Sequence, residues 1–242
     1  MNNSFKNIAI TGVSGALGKA FVNNLAAIDN VETINVFSRS EENFHSEKIF
    51  THLINYKNED EIIEASRISS ANRSLDLVIV ANGILHNEKV FPEKKISEIT
   101  VEKFEEVFFV NTILPSIIAK HFIPKLSQNN QSIFAFMTAR VGSISDNKLG
   151  GWYAYRASKA ALNMVIKNLS IEAGRKNKNA VLVGLHPGTV VSNLSKPFQS
   201  NVPEKKLFTP DQSVKYLLKI LFNLKIADTG KIFAWNGDEI HP

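Results

Sequence analysis

The chain has 242 residues, 44% of them hydrophobic, enough for one large α/β domain or two small ones and for a substantial core without covalent staples. Cysteine is absent, which excludes disulfides, thiolate catalysis and sulfur-ligated zinc and fits a reducing intracellular compartment. A net charge of +5 would suit an anionic partner, yet the lysines form scattered pairs such as Lys94-Lys95 and Lys205-Lys206, so we expect a solvated surface that attracts phosphate groups, and no nucleic acid.

The six histidines show no His-x-x-x-His spacing, which speaks against a metal site. Met1 to Lys6 contains no apolar core of signal-peptide length, and we expect no later run to approach the ~20 apolar residues of a membrane span. The expectation is a cytoplasmic protein that does not bind membranes.

In chain order, residues 5 to 11 read as a buried strand and residues 15 to 28 as a helix, joined by Thr11-Gly12-Val13-Ser14-Gly15-Ala16-Leu17-Gly18. A glycine turn between strand and helix suits a pyrophosphate, because bare backbone lets phosphates approach and the helix N-terminus offers free N–H groups and a partial positive charge. A second strand, 32 to 37, ends at Ser38-Arg39-Ser40, and a weaker third spans 48 to 54. After a helix at about 58 to 71, Leu75 to Val80 is apolar except for Asp76, as a parallel strand covered on both faces should be. It runs into Asn82-Gly83, and residues 84 to 98 read as a surface loop.

From Val101 to Pro124 apolar residues recur at helical spacing, with Pro115 expected to bend the helix. The strand Gln131 to Ala139 is followed by a long helix, 153 to 175, bearing Tyr155 and Lys159. Four positions apart, these two lie on one helix face, where an ammonium can lower the pKa of a phenol toward a working acid. The helix is apolar on more than one side, which suits burial or sharing with a second subunit. A strand at 180 to 185 leads into the fixed turn Pro187-Gly188, residues 193 to 208 read as a mobile lid, Thr209-Pro210 caps a helix, and a strand closes the chain at 231 to 235. The pattern predicts one doubly wound (Rossmann) α/β domain, residues 1 to 242, with about seven parallel strands.

The order of glycine turn, Asn82-Gly83, Asn111, Tyr155-x-x-x-Lys159 and Pro187-Gly188 resembles the short-chain dehydrogenase/reductase family over nearly the whole chain. Through Arg140-Val141-Gly142-Ser143-Ile144, Gly150-Gly151-Trp152-Tyr153-Ala154-Tyr155-Arg156 and Leu185-His186-Pro187-Gly188-Thr189-Val190 it looks closest to the branch of C-factor-like proteins and sniffer-type carbonyl reductases. The resemblance implies hydride transfer between a nicotinamide and the carbonyl or alcohol carbon of a small molecule, in a homodimer or homotetramer. Tyr155 would be the general acid, Lys159 would tune it and hold the ribose, and Asn111 would anchor a relay water, unless it is a satisfied core amide. Gly12, Ser14, Gly15, Leu17 and Gly18 would receive the pyrophosphate, Asn55 the adenine, Asn82 and Gly83 the ribose, and Pro187, Gly188, Val190 and Ser192 the nicotinamide end.

With no carboxylate at the end of the second strand, Ser38 and Arg39 point to NADP(H); NAD(H) is the alternative if Glu41 or Glu42 bonds the ribose. The chain departs from the family where Ala139 takes the place of the serine that polarises the substrate carbonyl. Losing one such donor costs roughly 10²- to 10³-fold in turnover. Ser143, then Thr138, are the candidate replacements; otherwise the chain is an NAD(P)-binding sensor or signalling protein with impaired catalysis.

Overall fold

The computed structural model describes residues 3–200 and 202–241. Met1 and Asn2 of the leader reading, Asn201 of the expected lid and Pro242 of the expected domain lie outside the described residues.

The first apolar run becomes β1 (Asn7–Thr11), buried along its whole length. The strands that follow are β2 (Thr33–Ser38), β3 (Ile49–Leu53), β4 (Leu77–Val80), β5 (Ser132–Met137) and β6 (Ala180–His186). Two short strands, β7 (Thr189–Val190) and β8 (Leu207–Phe208), pair with each other, and β9 (Ile232–Ala234) comes last. Seven strands form one parallel sheet in the order β3-β2-β1-β4-β5-β6-β9. This is the doubly wound Rossmann arrangement predicted from the sequence. The winding reverses between β1 and β4, opening a crevice at their carboxyl ends, where such sheets bind ligands.

Alternation along each strand feeds two cores. Ile8, Ile10, Leu77, Ile79, Val181 and Val183 pack with Phe21 and Leu25 of α1 (Ala16–Ala26) on one face. On the other, Ala9, Val78, Val80, Phe134 and Phe136 meet Ile62 of α2 (Glu59–Ser69). Asp76, the one charge next to β4, is buried, and its Oδ2 accepts the Lys6 and Asn7 N–H groups at 2.9 and 3.0 Å, fixing where β1 begins.

The long apolar helix is not continuous. It divides into α3 (Val101–Phe108), a π-helical turn (Phe109–Ile113) and α4 (Leu114–Phe122). Pro115 has no N–H for the Asn111 carbonyl four residues earlier, and the turn widens so that the Leu114 N–H reaches the Phe109 carbonyl. The distortion thus precedes the proline. Val101–Lys125 is also long and apolar enough to cross a membrane, contrary to expectation, but Ile118, Ala119 and Phe122 are buried in the second core.

Tyr155 and Lys159 ride on α5 (Tyr153–Lys176), which buries Leu162 and Ile166 in the second core. The last helix, α6 (Pro210–Asn223), starts with the predicted cap: Thr209 accepts the Gln212 N–H, and the Gln212 side chain returns to the Thr209 N–H. It packs Val214, Leu217 and Leu221 beside α1. The 84 to 98 stretch differs from a plain surface loop, since Leu85, Val90 and Glu93 are buried within it.

Candidate active site

The glycine turn follows from close packing. Gly12 has φ +75°, and a Cβ there would lie 2.6 Å from the Asn82 nitrogen; at Gly18 it would lie 2.5 Å from the Gly12 carbonyl oxygen. Gly15 has more room and stands at the N-cap of α1, where no side chain caps the helix, so backbone N–H groups face the crevice. A residue missed by the sequence reading props the turn: buried Tyr56 accepts the Gly12 N–H at 3.0 Å and donates to the Phe37 carbonyl at 2.8 Å. Burial pushes its phenol up to about 12. Across the crevice the Thr11 hydroxyl donates to Asn82 Oδ1 at 2.5 Å, tying the turn to the loop after β4.

At the end of β2, Ser38 is buried and its hydroxyl accepts the Ser40 N–H at 3.3 Å, while Arg39 is exposed and lines an open cleft with Leu53, Ile54, Asn55 and Glu61. Asn55 Oδ1 accepts the Lys57 N–H at 3.1 Å. Glu42 forms an ion pair with Lys19 at 2.8 Å.

Asn111 is fully buried and bonded on both sides of its amide. Oδ1 accepts the Ile84 N–H at 2.8 Å, and Nδ2 donates to the Ile84 carbonyl at 2.9 Å and to Ser158 Oγ at 3.1 Å. Both ends of the amide thus have protein partners, and the side chain clamps the Gly83-Ile84 backbone to α5. A Cβ on Gly83 would stand 3.6 Å from Asn111 Oδ1 and 3.7 Å from Lys159 Nζ, so these three positions converge.

Lys159 is buried and its Nζ donates to the Met137 carbonyl at 2.9 Å, 6.0 Å from the Tyr155 ring centroid. Burial lowers its pKa to about 7 and raises that of Tyr155 to about 12. The lowering of the phenol expected from its neighbour is not seen here: desolvation alone moves the phenol, and it moves it up. Gly142 lets the loop before α5 lie on that helix, since a Cβ there would come within 2.8 Å of the Lys159 carbonyl carbon.

Ala139 lies two residues beyond β5, at the start of the turn that follows, and is buried. Neither stand-in hydroxyl is idle. Ser143 donates to the His241 carbonyl at 2.6 Å, and Thr138 donates to Asn163 Oδ1 at 2.6 Å on the α5 side of the strand. Beyond β6, Gly188 has φ +76° and packs against Phe208 and Trp235, while Ser213 of α6 holds the Pro187 carbonyl at 2.7 Å. Val190 is buried, and its carbonyl accepts the hydroxyls of Ser192, at 3.2 Å, and Ser195, so the Ser192 hydroxyl is turned into its own loop here. His186, just before this turn, has a buried Nδ1 without a partner among the described residues; burial and the Arg140 charge hold its pKa at about 4.

A glycine turn at the β1/β4 crevice and a tyrosine–lysine pair on α5, whose lysine reaches the last carbonyl of β5, place the chain among doubly wound α/β oxidoreductases. The chain belongs to the short chain dehydrogenase family, whose sequence pattern matches residues 6–203. It is 31% identical over 145 residues to a protein called C-signal from Myxococcus xanthus, covering 60% of this chain and 82% of that one. It superposes on the NADPH-bound carbonyl reductase from chicken fatty liver with a TM-score of 0.85 at 24% identity, covering 99% of this chain and 100% of that chain. It also superposes on carbonyl reductase Sniffer of D. melanogaster with a TM-score of 0.85 at 21% identity, over the full length of both. These relatives agree with the branch read from the sequence.

Proposed function

We propose that the protein is an NADP(H)-dependent reductase of a small-molecule carbonyl, also able to run as an alcohol dehydrogenase. The observation that carries this reading is the convergence of Gly83, Asn111 and buried Lys159 beside the glycine turn, with Tyr155 on the same helix face.

The residues fit a dinucleotide. The uncapped N-terminus of α1 and the turn that admits no Cβ at Gly12 or Gly18 suit a pyrophosphate. Arg39 at an open cleft, with Glu42 paired to Lys19, suits a 2′-phosphate better than a ribose diol, in line with the NADPH named for the chicken enzyme. When bound, the nicotinamide supplies the hydride that the carbonyl carbon gains. Tyr155 gives its phenolic proton to the carbonyl oxygen, and a phenol held near 12 carries that proton throughout the neutral range. Lys159, near 7, takes up and releases a proton under cellular conditions, which suits it to reprotonate the phenol through a relay and to hold the ribose hydroxyls. Asn111 acts by positioning the Gly83 backbone.

Residues 193 to 208, anchored by the β7–β8 pair, serve as the lid of a single dinucleotide-binding domain. The exposed apolar residues Val101, Ile113, Met164 and Ile171 on α3 to α5 suit a homodimer of a cytoplasmic enzyme.

A second reading, a dinucleotide-occupied signalling protein, draws support from Ala139 and the engaged hydroxyls of Thr138 and Ser143. NADPH oxidation against aldehydes, diketones and quinones separates the two. Turnover lost in Tyr155→Phe supports the enzyme; tight NADPH binding with no turnover of any compound refutes it.

A further inference from the structure

Helix α5 begins without a cap of its own. Trp152 stands at its N-cap in a left-handed backbone, φ +52°, after Gly150 and Gly151 at +66° and +65°, and offers no side-chain acceptor; no acid stands in the first turn. The Arg156 N–H reaches the Trp152 carbonyl at 2.8 Å, so the N–H groups of Tyr153, Ala154 and Tyr155 before it have no partner within the helix. Ala154 is buried, out of reach of bulk water, and its N–H needs a protein acceptor.

That acceptor comes from the loop after β4. Buried Glu93 accepts the Ala154 N–H through its carboxylate Oε2 at 3.2 Å, and its carbonyl accepts the Trp152 N–H. One acid thus serves two donors on either side of the helix start. Its own place is fixed. A Cβ on Gly151 would lie 3.3 Å from the Glu93 carbonyl oxygen, so the two backbones touch. The residues after Glu93 are tied to α3: Glu98 accepts the Lys94 N–H at 2.9 Å, and Lys103 Nζ donates to the Glu98 carbonyl at 2.9 Å. On the helix side Arg156 Nε donates to the Gly151 carbonyl at 3.1 Å. Tyr155 packs against the cluster of Val90, Val107 and Ala154, and Val90 belongs to the same loop as Glu93.

Building on the reading of Tyr155 as proton donor, we propose that Glu93 is a positioning residue for the reaction: its buried carboxylate caps α5 from another loop and fixes the turn that aims the Tyr155 hydroxyl. A carboxylate at a helix N-terminus also answers the partial positive charge there. Without it the buried Ala154 N–H is orphaned, and the first turn relaxes to find water. Tyr155 rides on that turn. Lys159 stands one turn further on and is held separately by the Met137 carbonyl, so loss of the cap should displace the proton donor and leave the cofactor's hold intact.

The test uses the NADPH-loaded protein and the fastest substrate among the aldehydes, diketones and quinones. Glu93→Ala should lower kcat by roughly 10- to 100-fold, the effect of a misplaced reacting group, with KM and the NADPH Kd changed by less than about threefold. Glu93→Gln keeps an acceptor oxygen and should stay within about threefold of the unmodified kcat. In a Tyr155→Phe background Glu93→Ala should alter the residual rate by less than about threefold, because the donor it places is gone. A loss of about tenfold repeated in that background, or an NADPH Kd raised by about tenfold, makes Glu93 a general support of the fold and overturns the proposal. An unchanged kcat in Glu93→Ala overturns it too and leaves the reductase standing. If Glu93→Ala does not fold, Glu93→Asp, which withdraws the carboxylate by one methylene, takes its place in each comparison. If no compound turns over, the reductase reading fails, and NMR of labelled tyrosine rings decides the role of Glu93. The Tyr155 signal, identified by its loss in Tyr155→Phe, should shift in Glu93→Ala while those of Tyr56 and Tyr216 stay; any other pattern overturns the proposal.

Discussion

Ala139→Ser puts a hydroxyl just beyond β5, and the structure sets what it should be worth. Ala139 has an extended backbone, φ −151° and ψ 147°, that serine adopts without strain. In the unmodified chain a donor to the substrate oxygen must come from a hydroxyl already in use. Recruiting Ser143 breaks its 2.6 Å bond to the carbonyl of exposed His241, where water can replace the hydroxyl, at a net cost of about 0.5–1.5 kcal/mol. An oxyanion donor contributes about 2.7–4 kcal/mol, so recruited Ser143 nets roughly 2 kcal/mol. A serine at 139 avoids the recruitment cost, a gain of about 1 kcal/mol, or roughly fivefold in kcat. The assay is steady-state NADPH oxidation with a saturating diketone, run beside Ser143→Ala. If Ala139→Ser is no faster than the unmodified enzyme while Ser143→Ala falls by roughly 100-fold or more, Ser143 is already the full donor and the reasoning is refuted.

Four further outcomes follow from the burial and geometry of named groups. Lys159 has a folded pKa of about 7 against an ordinary 10.5, so the unfolded chain binds more protons between those values: stability is lowest below pH 7, rises toward pH 10.5 by at most about 1.4 kcal/mol per pH unit, and urea titrations should lose that rise in Lys159→Met. Tyr56 and Tyr155, raised to about 12, act oppositely and bring stability down between pH 10 and 12. Asp76→Ala removes the acceptor of two backbone N–H groups and should destabilise the fold by about 2–4 kcal/mol by chemical denaturation, whereas an effect under about 1 kcal/mol would mean water replaces the carboxylate. Gly12→Ala combines φ +75° with a Cβ 2.6 Å from Asn82 nitrogen, and calorimetry should find NADPH affinity reduced by at least about tenfold.

What could be read in the sequence was what is local. Ile8 to Ile10 and Leu77 to Val80 announce buried parallel strands by composition, Gly12 to Gly18 announces a phosphate turn by spacing, and Tyr155 with Lys159 announces a shared face by periodicity. What escaped was set by partners far along the chain. Tyr56 reaches Gly12 across 44 residues, and Ser143 finds His241 across 98. The Asn111 amide is satisfied by Ile84, 27 residues away, which no helical pattern encodes. The inversion of the Tyr155 and Lys159 titrations comes from the packing around them, and the cap on α5 comes from Glu93, 61 residues before the Ala154 N–H that it accepts.

The bond from Ser143 to the His241 carbonyl couples the loop before α5 to a segment 98 residues further on, next to Ile240, whose side chain is buried in the second core. A change in how that core packs around Ile240 should therefore be felt at Ser143, although the two are remote along the chain.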